Sequence, residues 1–273
     1  MYLLFFVSGF LFPKGNGLDI IGVLNSIKRK FFSLIIPWLF GGLAYHYFRG
    51  LEITVLWFLM SLFSFTIINL AWELIRPQKN TPIIDFLFYM VITIIMMKLL
   101  PQNIKDIFQL KYGHYLLYSL GIMTKRYNLT NYIEKQWVNT ISGAVFIAIN
   151  VLKINGIEIP QSNILTAITG SIVFWNIFKF VLTEGFFYEF MKTLGFYSLE
   201  IYIMHGFFII KIYEIGVFIS TLSGYMDDKM TRSTLELLAA TLIAMPVIAM
   251  CLIFIKATKN NTIVNFLFGK IKI

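Results

Sequence analysis

Long apolar segments recur along the whole chain and restrict what it can fold into. A transmembrane helix needs about 20 mainly apolar residues, and the usual range is roughly 17–25. Four segments meet this requirement outright, at 53–75, 164–182, 194–213 and 234–256. Shorter or weaker apolar segments lie at 1–12, 32–48, 83–100, 112–124 and 137–152. The pattern predicts an all-α polytopic integral membrane protein with about eight or nine transmembrane helices.

The composition agrees with a chain that is embedded in lipid. Only 14% of its residues are charged, 58% are hydrophobic, and the mean hydropathy is +0.75. A soluble domain carries about 25% charged residues. No repeat, low-complexity tract or soluble segment interrupts the spans, so we expect residues 1–273 to form a single membrane domain. The net charge of +9 is not gathered in a basic cluster interleaved with aromatic residues, and we expect no nucleic-acid partner.

The positive residues are divided unequally between alternate loops. Of the 23 Lys and Arg residues, one set of loops with the C-terminal tail holds fourteen, the other set holds eight, and Lys179 lies inside a span. In membrane proteins the cytoplasmic loops carry the excess of Lys and Arg. The bias predicts a multi-pass protein of the inner (cytoplasmic) membrane, with the C-terminus and the basic segment 28–30 in the cytoplasm.

The segment 194–208, LGFYSLEIYIMHGFF, places ionisable side chains inside an apolar stretch. Such groups are costly at membrane depth and usually face a protein interior or a water-filled cavity. Ser198 and His205 are two helical turns apart and share one face, whereas Glu200 lies about 160° around the helix from Ser198. We therefore expect Glu200 to be either a neutral carboxyl or paired with a cation from another helix.

Four stretches, in their order and spacing, resemble a known family. They are LFFVSGFLF (4–12) followed by the basic KRKFFSLIIPWLF (28–40), LWFLMSLF (56–63), YLLYSLGIMTKRY (115–127) and LGFYSLEIYIMH (194–205). Together they resemble the acyltransferase-3 family of integral membrane O-acyltransferases over nearly the whole chain. The resemblance implies an enzyme that takes an acyl group, with acetyl the leading candidate, from cytoplasmic acyl-CoA. The implied acceptor is a hydroxyl of a surface polysaccharide or lipid-linked sugar.

The chain departs from this family in two places. Family members carry one more helix before the FFxSGF stretch, with a histidine central to acyl transfer, and that helix has no counterpart here. Segment 1–12 is too short to span a membrane alone, so we expect a domain that is N-terminally truncated relative to the family. Ser33 stands where a second basic residue is common in the family.

Acyl transfer to a hydroxyl needs a general base and a group that stabilises the developing oxyanion. The resemblance includes His205 and makes it the leading catalytic residue, with Ser198 and Glu200 on the same segment. The alternative interpretation of His205 is a core histidine that hydrogen-bonds a neighbouring helix.

Binding of acyl-CoA needs cations for its phosphates. Lys28, Arg29 and Lys30 are the candidates, and plain positive-inside anchoring is the alternative. Trp57 matches a family position and is expected to contact the substrate, or else to belong to an aromatic belt.

Other polar residues near the ends of spans have simpler interpretations. His114 begins a weak helix and is expected at the interface. Arg76 and Arg126 are expected to anchor spans on the cytoplasmic side, with phosphate binding the less favoured role. We expect Glu73 to pair with Arg76, and Asp85 to lie near the positive end of a helix dipole.

Two further functions remain open at the level of the sequence. A polytopic transporter or flippase of surface-glycan intermediates is one, although such proteins favour paired halves and the sequence has no such duplication. An acyltransferase fragment without activity is the other. The sequence has no HExxH, CxxC, Walker A or GxGxxG motif, and so predicts no metal site and no nucleotide chemistry of those types.

Overall fold

The protein is all-α, as predicted. The computed structural model describes residues 2–12, 19–50, 56–77, 81–157, 159–181, 184–208, 221 and 229–270. Within these ranges the helices are α1 Tyr2–Phe10, α2 Ile20–Lys30, α3 Ile36–Arg49, α4 Trp57–Ile75, α5 Pro82–Ile94, α6 Gln102–Phe108, α7 Tyr112–Arg126, α8 Thr130–Ile133, α9 Gln136–Ile154, α10 Ser162–Val181, α11 Phe186–Phe196, α12 Ser198–Phe208, α13 Lys229–Thr258 and α14 Thr262–Leu267.

Six helical segments of the described chain are long and apolar enough to cross a membrane. They are Ile20–Phe48, Trp57–Ile75, Pro82–Leu99, Gln136–Ile154, Ser162–Phe180 and Thr234–Thr258. This set confirms a polytopic membrane protein. The sequence predicted eight or nine transmembrane helices. The other three predicted segments correspond to α1, α7 and α12, whose 9, 15 and 11 described residues are too few to cross a membrane. Residues 209–213 of the predicted span 194–213 lie outside the described residues.

Two of the spans contain a π-helical turn. Phe31–Ile35 joins α2 to α3, and Ile95–Leu99 extends α5. The first ends two residues before Pro37, whose missing N–H and bulky ring disrupt the regular hydrogen bond to the preceding turn. The second ends before Pro101, where the chain leaves the span. Proline thus sets both the irregularity of one helix and the end of the other.

The chain forms two compact units. Unit 1 comprises Met1–Trp38 and Leu56–Leu182, and unit 2 comprises Leu39–Val55 and Thr183–Ile273. The centre of unit 1 is the crossing of α1 and α7. A Cβ atom at Gly9 would overlap the main-chain carbonyl of Tyr118, and one at Gly121 would overlap that of Phe6. The two helices therefore pack backbone against backbone, as small residues allow in membrane proteins.

In unit 2, α12 packs against α13. Val247, Cys251 and Ile255 of α13 are buried there, against Ile201 and Met204 of α12 among others. The N-terminal part of unit 2 is tied to the same helix, because the hydroxyl of Tyr45 donates to the Ile203 carbonyl at 2.7 Å and its ring stacks on Phe207. This packing fixes the segment that carries Ser198, Glu200 and His205.

Candidate active site

A large cavity lies in unit 1, where the start of α7 meets the α6–α7 and α9–α10 connections. It has a volume of about 900 Å³, within the roughly 300–1,000 Å³ of typical ligand pockets. Its wall is built from the end of the α5 extension, α6, the first turn of α7 and the α9–α10 connection. That connection turns at Gly156, whose φ of +80° is a conformation that favours glycine.

His114 lines this cavity from the first turn of α7. His114 is only 7% exposed. Its ring stacks on those of Phe5 and Trp57, with 4.6 Å and 5.2 Å between the ring centroids. Within the described chain, the buried Nδ1 atom of His114 has no hydrogen-bond partner. Burial, reinforced by the positive charge of Lys111, lowers the pKa of His114 to about 4. The imidazole is therefore neutral at physiological pH.

Three lysines line the same cavity. The ammonium of Lys111 lies 4.5 Å above the ring of Trp57. Lys105 donates to the Met97 carbonyl at 3.1 Å, and Lys153 donates to a neutral amide oxygen at 2.9 Å. Among residues whose placement the structure describes, no carboxylate lies within ion-pair distance of these ammonium groups. The cavity is therefore a cationic one.

The opposite end of α7 carries a buried network of charges. Arg126 donates to Asp85 at 2.5 Å and also pairs with Glu73, while Arg76 donates to Asp85 at 2.9 Å. The hydroxyl of Tyr127 adds a donor to Asp85 at 2.7 Å. The side chains of these arginines and carboxylates are at most 8% exposed. The twelve residues from His114 to Arg126 correspond to about 18 Å along the helix, so the two sites are separate.

This network holds helices together. Its charges balance, two guanidinium groups against two carboxylates, and it joins α4, α5 and α7. Glu73 does pair with Arg76, at 3.9 Å. Asp85 lies in the first turn of α5 as expected, yet its partners are the two arginines, Tyr127 and the Trp72 indole. Neither Arg76 nor Arg126 extends to the surface as an anchor, because both side chains turn inward to meet the acids.

The predicted phosphate-binding residues also lie in unit 1. Lys28, Arg29 and Lys30 form the last turn of α2, where Lys28 and Arg29 are exposed and Lys30 is half-buried. They do not line the cavity at His114. Trp57, the predicted substrate contact, does lie at that site, although it packs behind His114 and is itself half-buried.

The predicted catalytic segment lies in unit 2. Ser198 is exposed at the start of α12, and its seven-residue separation from His205 amounts to about 10 Å, too far for a hydrogen bond. Glu200 is buried and pairs with Lys270. A cation therefore meets this carboxylate, as one of the two alternatives predicted, but it comes from the chain after α14 and not from another helix. The structure therefore does not bring Ser198, Glu200 and His205 together as a triad.

One ring nitrogen of His205 can accept a proton. Its Nδ1 lies 2.6 Å from the Tyr202 carbonyl oxygen, which can only accept, so Nδ1 carries the proton. The other ring nitrogen, Nε2, is then the acceptor in the neutral imidazole. The side chain is half-buried.

Sequence reasoning missed His114 because it begins a helix of weak hydropathy. A signal was nevertheless present: the segment 112–126 contains Gly113 and Gly121, and small residues on a helix indicate close packing against others. Helix α7 is buried over most of its length in spite of its modest apolar content. Comparisons of the chain with protein-family models, with curated proteins and with solved structures found no match.

Proposed function

We propose that this protein is a membrane-bound O-acyltransferase. It moves an acyl group, with acetyl the leading candidate, from acyl-CoA to a hydroxyl of a surface polysaccharide or lipid-linked sugar. The observation that carries the proposal is His114, a buried imidazole in the wall of a cavity of about 900 Å³, next to Trp57 and three lysines. Histidine is the side chain most often used to take a proton from a reacting hydroxyl. The resemblance of the four sequence stretches supports the same reaction class.

The proposed chemistry is one proton transfer coupled to acyl transfer. The acceptor hydroxyl oxygen attacks the thioester carbonyl carbon while the His114 imidazole takes the hydroxyl proton. The carbon–sulfur bond then breaks, and the departing thiolate receives that proton from the imidazolium. Lys111 supplies positive charge beside the imidazole, where a developing oxyanion would be stabilised.

The donor would be bound through its phosphates at a separate surface. Lys28, Arg29 and Lys30 lie at the end of α2 with no carboxylate partner in the described chain, so they fit a multiply charged phosphate ligand. The loop bias in Lys and Arg predicts that this segment and the C-terminus lie on the cytoplasmic side of the inner membrane. The same bias predicts that the connections that form the His114 cavity lie on the outer side, so the acyl group of the donor would reach this cavity through the protein from the cytoplasmic side.

His205 is the second candidate for the general base. Its Nδ1 proton is held by the Tyr202 carbonyl, which leaves Nε2 free to accept a proton. Because Ser198 and Glu200 do not contact it, His205 would act without them.

The test is transfer of label from [¹⁴C]acetyl-CoA to cell-surface glycan in membranes that contain the full chain. We expect His114→Gln to lower the rate by about 10²–10⁴-fold, the usual contribution of a general base, at unchanged expression. His46→Gln is the matched control, because His46 is exposed on α3 and should leave the rate unchanged. Loss of transfer in His205→Gln but not in His114→Gln would assign the base to His205. No transfer by the unmodified chain would overturn the proposal.

A further inference from the structure

The cavity at His114 carries positive charge that its described lining does not neutralise. Lys105, Lys111 and Lys153 all contribute to the wall, and Asp106 is the one acid among the described lining residues. The Asp106 carboxylate already accepts a hydrogen bond from Gln102 at 2.8 Å. We infer that this cavity binds a sugar that bears a negative charge, as a carboxylate or a phosphate group.

The arrangement of the three lysines favours a negatively charged ligand. They come from three different elements, α6, the connection before α7, and the end of α9, so positive charge enters the cavity wall from three parts of the chain. Each ammonium is held by a neutral group: an aromatic face, a main-chain carbonyl or an amide oxygen. Like charges that converge on a concave site focus its field and raise the local concentration of anions. Lysine is a common partner of phosphate and carboxylate groups as a point charge.

The remaining lining suits the hydroxyl groups of a sugar. Gln109 and Gln161 line the cavity with left-handed backbones, at φ +52° and +61°. They are two of the three non-glycine residues with positive φ in the described chain, and such conformations cluster at binding sites. The side chain of Gln161 is fixed by a 3.1 Å hydrogen bond from the Tyr112 hydroxyl. Amide and phenol groups of this kind can both donate to and accept from sugar hydroxyls.

The inference rests on the proposed function for the identity of the ligand as an acceptor sugar, but its test does not need acyl transfer. The full chain, purified in detergent micelles, would be titrated with D-glucuronate, D-glucose 6-phosphate and D-glucose, and binding followed by calorimetry or ligand-observed NMR. We expect one or both charged sugars to bind at least about tenfold more tightly than glucose, with a preference that weakens as salt rises. The two charged probes distinguish a carboxylate acceptor from a phosphorylated one.

Variants of the lysines make the test specific. Lys111→Gln combined with Lys153→Gln should abolish the preference of the cavity for the charged sugars over glucose. Lys192→Gln is the control, because Lys192 is an exposed lysine of unit 2. Equal binding of charged and neutral sugars, or a preference that survives the double substitution, would overturn the inference. Selective binding without any acyl transfer would retain it while rejecting the proposed enzyme. Acyl transfer at equal rates to charged and neutral acceptors would support the proposed enzyme and overturn the inference about the charged sugar.

Discussion

The imidazole of His114 stacks on the indole of Trp57, with 5.2 Å between ring centroids and 27° between the ring planes. The two residues belong to the first turns of α7 and α4, so their contact ties the starts of two helices together. The ammonium of Lys111 lies over the same indole, 4.5 Å from its centroid. Trp57 therefore positions both the proposed base and a cation of the cavity. This is a different role from the substrate contact that the sequence suggests.

Replacing Trp57 with leucine should disturb both partners at once. A ring–ring contact and a cation–π contact are each worth on the order of 1 kcal/mol, so we expect acyl transfer to fall by about 10–100-fold. Trp57→Phe keeps an aromatic face and should restore most of the rate. Because Trp57 would act on the base more than on the substrate, the loss should appear in kcat more than in KM. A change confined to KM would show instead that Trp57 contacts the sugar.

The pH dependence of stability should report the buried state of His114. Its pKa of about 4 in the folded protein lies below the value of about 6.5 in an unfolded chain. As the pH falls, the unfolded state therefore binds the proton first, and the free energy of unfolding decreases from pH 6.5 down to pH 4. The stabilisation is fully present above pH 6.5, and at most about 3 kcal/mol of it is lost across this window.

His114→Gln should remove this contribution. Denaturation midpoints of the two proteins, measured in the same detergent from pH 8 to pH 4, should converge as the solution becomes acidic. Other groups titrate in both proteins, and the comparison cancels them. Parallel curves over the whole range would mean that His114 is not desolvated in the folded protein.

The spans were predictable because lipid imposes one requirement on every segment that crosses it. Without water, backbone amides must be paired within the segment, so length and apolar content alone predict helices such as Trp57–Ile75 and Thr234–Thr258. Helix α7 is shorter and more polar because it packs inside unit 1. Its burial depends on close contact with α1, and hydropathy does not report such contacts.

The charged sites were harder to predict for a related reason. The positive-inside rule counts Arg76 at the end of α4 and Arg126 at the end of α7. It does not say whether their side chains point to the surface or into the protein. Two acids at the same end, Glu73 and Asp85, were the available signal for an inward network. The partner of Glu200 had no such signal, because Lys270 is seventy positions away in the sequence and only the fold brings it close.

The buried network should make a large contribution to the stability of unit 1. Arg126→Met leaves Glu73 and Asp85 with fewer partners in a buried site, and breaking a buried pair costs about 3–5 kcal/mol. We expect the thermal midpoint of the purified protein to fall by several degrees, or expression of folded protein to be lost. Adding Asp85→Asn to this variant should recover part of the loss, since it removes one of the stranded charges.

An exposed ion pair provides the comparison for this network. Arg232 pairs with Glu236 on α13 at 3.1 Å, and both side chains are nearly half exposed. Pairs of this kind contribute little because water screens them and the side chains lose freedom. Arg232→Met should therefore leave the midpoint almost unchanged. A similar loss in both variants would mean that removal of any arginine, and not the buried network, causes the effect.

The crossing of α1 and α7 should not tolerate even one added methyl group. A Cβ at Gly121 would overlap the Phe6 carbonyl, so Gly121→Ala must push the two helices apart and expose the core around Phe5. We expect loss of monodisperse protein in fluorescence-detected size-exclusion chromatography. Gly143→Ala is the matched control within a span, because its Cβ would come no closer than 4.0 Å to Val173. Alanine there should be neutral or stabilising by up to about 1 kcal/mol, since it is the better helix former. Equal tolerance of both alanines would contradict the backbone-to-backbone packing of α1 on α7.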